Sequence, residues 1–320
     1  MRTRATEMLG IQHPIVLGGM STVASADLVA NVSAAGGLGI LGLSRLTVDA
    51  VGPTLATIRE RTDRPFGVNF LAFMMKEEIL AEALRHQPRV VSFAWPRADQ
   101  DLAGYFERTR RAGSLAMFTA STVVDARRAA EAGADIIAAQ GTEGGGHVGL
   151  MSTMVLTPMI VDAVGPIPVL ASGGIVDGRG LAAALMLGAA GILLGTRFMA
   201  TPEAPIHPNF KQLILDSDGH DTVLTEVPDV VNAEIWPGAY ARAKRNRWVE
   251  RWIGNEGELR RRQVEVQREM VAARAAGDAD SAPLLFGQDA GLIAELEPAA
   301  DIVASVAAEA EALLAGRRAG

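Results

Sequence analysis

A histidine set behind three glycines is the most chemically suggestive feature of this 320-residue chain, in Gln140-Gly-Thr-Glu-Gly-Gly-Gly-His147-Val-Gly. Imidazole titrates near neutral pH, so His147 could serve as acid, base or hydrogen-bond donor to a substrate. The glycines before it would let a flat ligand lie close to the backbone. Glu143 offers a second acid or base, although hydration or local capping is the simpler role for a loop carboxylate. Asn69 and Gln140 carry amides that both donate and accept, and a heteroaromatic ring would satisfy them. Two more stretches suit an anion: Ser172-Gly173-Gly174 and Gly195-Thr196-Arg197. Without a Cβ, Gly173 and Gly174 can bring backbone N–H groups against a phosphate. A helix from about Gly178 to Leu187 would aim its positive end at the same place. Thr196 and Arg197 add a hydroxyl and a cation.

These residues need a scaffold that gathers them. His13–Met20 reads as a first strand ending in a Gly-Gly turn. Leu38–Leu41, Phe66–Leu71, Arg89–Phe93, Ser114–Thr119, Asp135–Ala139, Ile167–Ala171 and Gly191–Leu194 read as seven more. Helical patterns separate most of them, so the strands recur about every 20–30 residues, which is the pattern of a (β/α)8 TIM barrel. An open doubly wound sheet would carry GxGxxG after its first strand, and Leu17-Gly-Gly-Met does not match. The candidate residues then fall at the carboxyl ends of strands, the face where barrels bind ligands. After Phe198 the alternation stops. The division expected is a barrel over residues 1–201, a helical addition over 202–283 that caps the active-site face, and a C-terminal segment over 284–320 whose helix returns to the barrel. His13 precedes its strand at the opposite end and reads as structural. His207 and His220 could reach a substrate only if the addition folds over the mouth.

Composition excludes several classes. With 49% hydrophobic and 21% charged residues the chain can bury a large core. A net charge of −7 argues against nucleic acid or an anionic membrane as partner. No apolar run approaches the ~20 residues of a membrane span, and the first ten residues lack a signal-peptide core. The absence of cysteine removes disulfides and thiolate chemistry and fits a cytoplasmic location. The five histidines show no HxH or HxxxH spacing, so no metal site is expected.

Taken together, the motifs resemble those of the FMN-dependent nitronate monooxygenases and the similar flavin-dependent enoyl-acyl-carrier-protein reductases. The resemblance runs from His13-Pro-Ile through Gly67-Val-Asn69 to Gly287-Gln-Asp-Ala-Gly-Leu-Ile, and is most specific in Gln140–Gly149 and in Ser172-Gly-Gly with Gly195-Thr196-Arg-Phe. It implies FMN as cofactor, with Ser172 among its binding residues and its phosphate held by Gly173, Gly174, Gly195 and Thr196. Gly19, Met20, Asn69, Gln140 and Gly145 would line the rest of it. His147 matches the family's catalytic group, placed to bind or deprotonate a nitro compound. The implied reaction is oxidation of an alkyl nitronate by the flavin and O2, giving a carbonyl compound and nitrite. The alternative is an NAD(P)H-dependent reductase of an enoyl thioester or a quinone. Gly18-Gly-Met is shared with the enoyl reductases, and Leu193 stands where a glutamine is common, which removes one polar contact to the flavin. The expected partners are a small-molecule substrate and O2, with no nucleic acid and no membrane; a homodimer is one candidate assembly.

Overall fold

The computed structural model describes residues 1–20 and 22–316. Its strands in chain order are β1 (Ile15–Leu17), β2 (Gly39–Gly42), β3 (Phe66–Leu71), β4 (Val90–Ala94), β5 (Leu115–Ala120), β6 (Ile136–Gln140), β7 (Gly146–Val148), β8 (Val169–Ser172), β9 (Gly191–Leu194), β10 (Thr222–Thr225) and β11 (Tyr240–Lys244). Eight of them form one parallel sheet in the order β1-β9-β8-β6-β5-β4-β3-β2. The ring closes where Val16 pairs with Leu38 and the Leu17 N–H donates to Leu38 O at 2.9 Å. This is the expected TIM barrel.

Strand periodicity builds two cores from the same runs. Val16, Ile40, Val90, Met117, Ile136 and Leu170 point into the barrel, where Ala5 and Leu9 of the helix Arg4–Leu9 join them. Alternate positions such as Leu17, Val91, Phe93, Phe118 and Ile137 point outward into the larger helix-packed core. Phe70, Phe93, Phe106 and Phe118 are fully buried there, each worth roughly 1.5–3 kcal/mol of burial. The helix Ala299–Leu314 packs on the helices Gly178–Met186 and Ala26–Ala34.

Two details differ from the sequence reading. The seventh barrel strand begins at Val169 rather than Ile167, because Pro166 and Pro168 have no N–H to give a ladder. The segment after Phe198 is mostly helical, but β10 and β11 run through it and form an antiparallel sheet with β7. The glycine-flanked stretch around His147 is therefore an edge strand of this small sheet, with His147 opposite Ala241 and Gly146 opposite Arg242. Among the described residues no helix is long and apolar enough to cross a membrane.

Candidate active site

Above the apolar barrel interior the same inward positions turn polar. Asn69, Ser92, Thr119, Gln140 and Ser172 lie at even spacing from the inward Val90, Met117, Ile136 and Leu170, or beside them in register. All five line one cavity of about 640 Å³. Gly19, Met20, Gly145, His147, Gly173, Gly195 and Thr196 line it too, so every proposed site residue except Gly174 shares one space. Gly174 sits just behind, its missing Cβ facing Glu143. Ser92 Oγ is buried without a hydrogen-bond partner among the described residues, and Asn69 Nδ2 reaches Gly19 O only at 3.5 Å.

His147 is held on two sides. Its Nε2 lies 2.7 Å from Asp229 Oδ1, with the two side chains 10% and 8% exposed. Its ring stacks on Trp236 at 3.3 Å between centroids and 6° between planes. Trp236 in turn packs on Phe73 and Trp95 and donates from Nε1 to Glu234, which pairs with Arg45. Asp229 and Trp236 come from the cap, more than 80 positions along the chain. Glu143 takes no part in this pair: its carboxylate accepts from the N–H and hydroxyl of Thr153, capping the helix Thr153–Val164. Gly145 is glycine because a methyl there would come within 2.6 Å of the Phe286–Gly287 backbone. Close chain approach explains it, and no ligand is needed.

At the anion end, Gly173 and Gly174 have φ of +98° and +72°, a conformation that favours glycine. Neither N–H donates within the described residues. Two supporting groups expected from sequence point elsewhere. The N-terminal amides of the helix Gly178–Met186 are already taken, by Asp177 at Arg179 and Gly180 and by Glu309 at Gly178. Arg197 is buried and turned to Glu297 and the Glu295 carbonyl. Thr196 lines the cavity, yet its Oγ1 accepts the Gly287 N–H at 2.9 Å. Beside it stands Asp289, unanticipated from sequence; burial pushes its carboxyl up to about 7, and the Thr196 hydroxyl holds it back.

The outer wall carries Arg45 and Arg274. Arg274 opens into the cavity but is ringed by protein, so desolvation, with a smaller push from Arg45, lowers its guanidinium from the ordinary value. It donates to Pro283 O at 2.7 Å and makes no ion pair among the described residues. His207 also lines this wall, while its Nδ1 accepts from Asn209 N–H. No group of three metal-ligating side chains occurs among the described residues.

The residues fit FMN. Unpartnered Ser92 Oγ, the open glycine amides and a polar ring over an apolar floor suit a heteroaromatic ring with a phosphate tail. The loops after β8 and β9, beside the short helix Thr196–Met199, occupy the position of the usual phosphate corner of a barrel.

Residues 2–87 and 73–309 match the family description Nitronate monooxygenase. A Mycobacterium tuberculosis protein named (3aS,4S,5R,7aS)-5-hydroxy-7a-methyl-1-oxo-octahydro-1H-indene-4-carboxyl-CoA dehydrogenase is 41% identical over 70% of this chain; the match spans only 63% of that relative's length. A probable nitronate monooxygenase of Staphylococcus haemolyticus is 31% identical over 79% of this chain and 81% of its own. The structure of FabK from Thermotoga maritima matches with a TM-score of 0.87 at 33% identity, covering 99% of this chain and 98% of that one. Nitroalkane oxidase from Streptomyces ansochromogenes follows at 0.84 and 31%, covering 97% and 99%.

Proposed function

The chain belongs to the nitronate monooxygenase family of oxidoreductases, and on that footing we propose that it binds FMN and oxidises alkyl nitronates with O2 to a carbonyl compound and nitrite. When bound, FMN supplies the electron transfer and oxygen chemistry that no side chain here can supply. The chain's own part is proton and charge management. Asp229 accepts from His147 Nε2–H and so fixes the tautomer, leaving Nδ1 as the ring nitrogen for substrate. From that nitrogen His147 takes a proton from a neutral nitro compound, or holds one against an anionic nitronate. Asp229 then stabilises the imidazolium, as a buried carboxylate does in other histidine dyads. Trp236 keeps the ring plane fixed and covers one of its faces. The single observation that carries this reading is the shielded His147–Asp229 pair at the wall of a cavity ringed by polar strand ends.

A second reading has its own support. Arg45 and Arg274 on the outer wall would suit the phosphates of an acyl-thioester carrier, and one relative at 41% identity is named as a carboxyl-CoA dehydrogenase. This would make the protein an FMN-dependent NAD(P)H oxidoreductase of a thioester. An anaerobic absorbance titration separates the two. Bleaching by an alkyl nitronate and not by NADH is the expected result. Rapid bleaching by NADH alone would replace the first reading with the second, and a protein that takes up no FMN would overturn both.

A further inference from the structure

We propose that Asp289 is an acid built into the cofactor's phosphate corner: it stays neutral in the complex, its O–H hydrogen-bonded to a phosphate oxygen, so that FMN binding takes up a proton wherever Asp289 is ionised in the free protein. This rests on the FMN reading above. Asp289 lies on the turn Gln288–Leu292, only 6% exposed, and lines the cavity. Its Oδ1 is buried with no hydrogen-bond partner among the described residues. Backbone contacts tie this turn to the phosphate loops, since the Gly287 N–H donates to Thr196 Oγ1 and the Gln288 N–H to Glu143 O. Glu143 in turn borders Gly174.

Burial and the charges around the corner together favour the neutral form, against the Thr196 hydroxyl and Arg242. Arg197 of the helix Thr196–Met199 faces Glu297, and Lys211 of the packed helix Pro208–Leu215 donates to Pro202 O. From the loop after β6 comes Glu143, which disfavours ionisation of Asp289; from β11 comes Arg242, which favours it. Arg242 itself is buried and donates to Thr142 O and Thr222 Oγ1. Next to Gly291, the Asp218 carbonyl adds negative rather than positive potential. With Arg197 paired to Glu297 and Lys211 turned to Pro202 O, Arg242 is the cation left facing Glu143 and Asp289, which leaves little positive charge for a phosphate. A second anion there would be repelled, whereas a neutral carboxyl at the cavity wall can donate to the phosphate.

The sign follows. Burial already lifts the carboxyl to about 7, and a phosphate beside it raises the value further. Affinity for FMN is therefore full below pH 7 and falls as pH rises through that value, by about tenfold between pH 6 and pH 8. The experiment is calorimetry of the full chain freed of cofactor, titrated with FMN and with riboflavin in buffers of different ionisation heat. Expected at pH 8 is uptake of about one proton with FMN and none with riboflavin, which lacks the phosphate. Asp289→Asn should abolish that uptake and bind FMN about tenfold more tightly than wild type at pH 8, the two converging at pH 6. FMN binding without proton uptake in the wild type would overturn the proposal and leave the FMN reading standing, as would uptake that persists in Asp289→Asn. No FMN binding at all would overturn both. The wild-type comparison of FMN with riboflavin needs no variant, so poor folding of Asp289→Asn does not remove the test.

Discussion

Replacing Asp229 by Asn tests whether the pair found here works as a unit. The change keeps size and planarity but removes the charge 2.7 Å from His147 Nε2. At that distance the bare Coulomb attraction to an imidazolium is about 6 kcal/mol for an effective dielectric of 20, an upper bound that desolvation reduces. The net worth of a buried charge-assisted hydrogen bond is about 1.5–3 kcal/mol. If all of it is realised only when His147 carries its proton in the transition state, kcat falls roughly 10–150-fold. The assay is steady-state oxidation of an alkyl nitronate, with FMN content and Tm measured on the same preparation. Flavin content should be unchanged and KM should move little, because Asp229 acts through His147 and not on the ground-state substrate. The decisive comparison is with His147→Ala, expected to keep flavin and lose about 10²–10⁴-fold in turnover. A large loss in His147→Ala with less than about threefold in Asp229→Asn would show that the carboxylate only decorates the histidine, and the proton-management argument would fail.

Three further perturbations probe other parts of the cavity. Gly173→Ala places a methyl 2.8 Å from Gly141 O at a φ of +98°, so bound FMN after purification should fall well below one per chain; full occupancy would contradict the phosphate-loop assignment. Arg274→Ala should raise KM for an acyl-CoA about tenfold while leaving nitronate kinetics within twofold, the size of one lost charge-assisted contact; equal effects on both substrates would remove the support for the thioester reading. Asp289 also sets a stability trend: its carboxyl ionises near 4 unfolded but at about 7 folded, so its ionisation costs stability progressively from pH 4 to pH 7, up to about 4 kcal/mol. Cofactor-free Asp289→Asn should accordingly melt a few degrees higher than wild type at pH 8 and nearly level with it at pH 4, checked by thermal scans at the two pH values.

The barrel was readable because its signals are local. Apolar runs broken by glycine announce strand ends, and the strand period of two carries Asn69 and Gln140 inward once the apolar register is known. The N-cap at Asp177 is an equally local signal that the sequence reading passes over in aiming this helix end at a phosphate. What stayed hidden depends on distant partners. Arg197 has the right chemistry for a phosphate, but Glu297, 100 positions later, decides its direction. Ser92 and Asp289 look unremarkable until burial removes their water. Asp229 stands alone among the apolar Val227-Pro-Asp-Val-Val231, more than 80 positions from His147, and the pairing of β7 with β11 ties the addition to the strand that bears it.

That pairing also constrains how the family's chemistry can vary in this chain. His147 sits on neither a free loop nor the barrel; its backbone is an edge of the cap's own sheet, and its side chain is gripped by cap residues Asp229 and Trp236. The barrel, by contrast, supplies the polar ring and the glycine corner where FMN is proposed to lie. Division of labour between the two parts therefore runs through the histidine. Substitutions in the cap that reshape the outer wall near Arg274 must be tolerated by the sheet that orients His147. On the proposed reading of His147 as the base, substrate preference and proton transfer are coupled, and a cap variant selected for a new substrate should carry compensating changes along β11, where Ala241 and Arg242 set the register of the strand that bears His147.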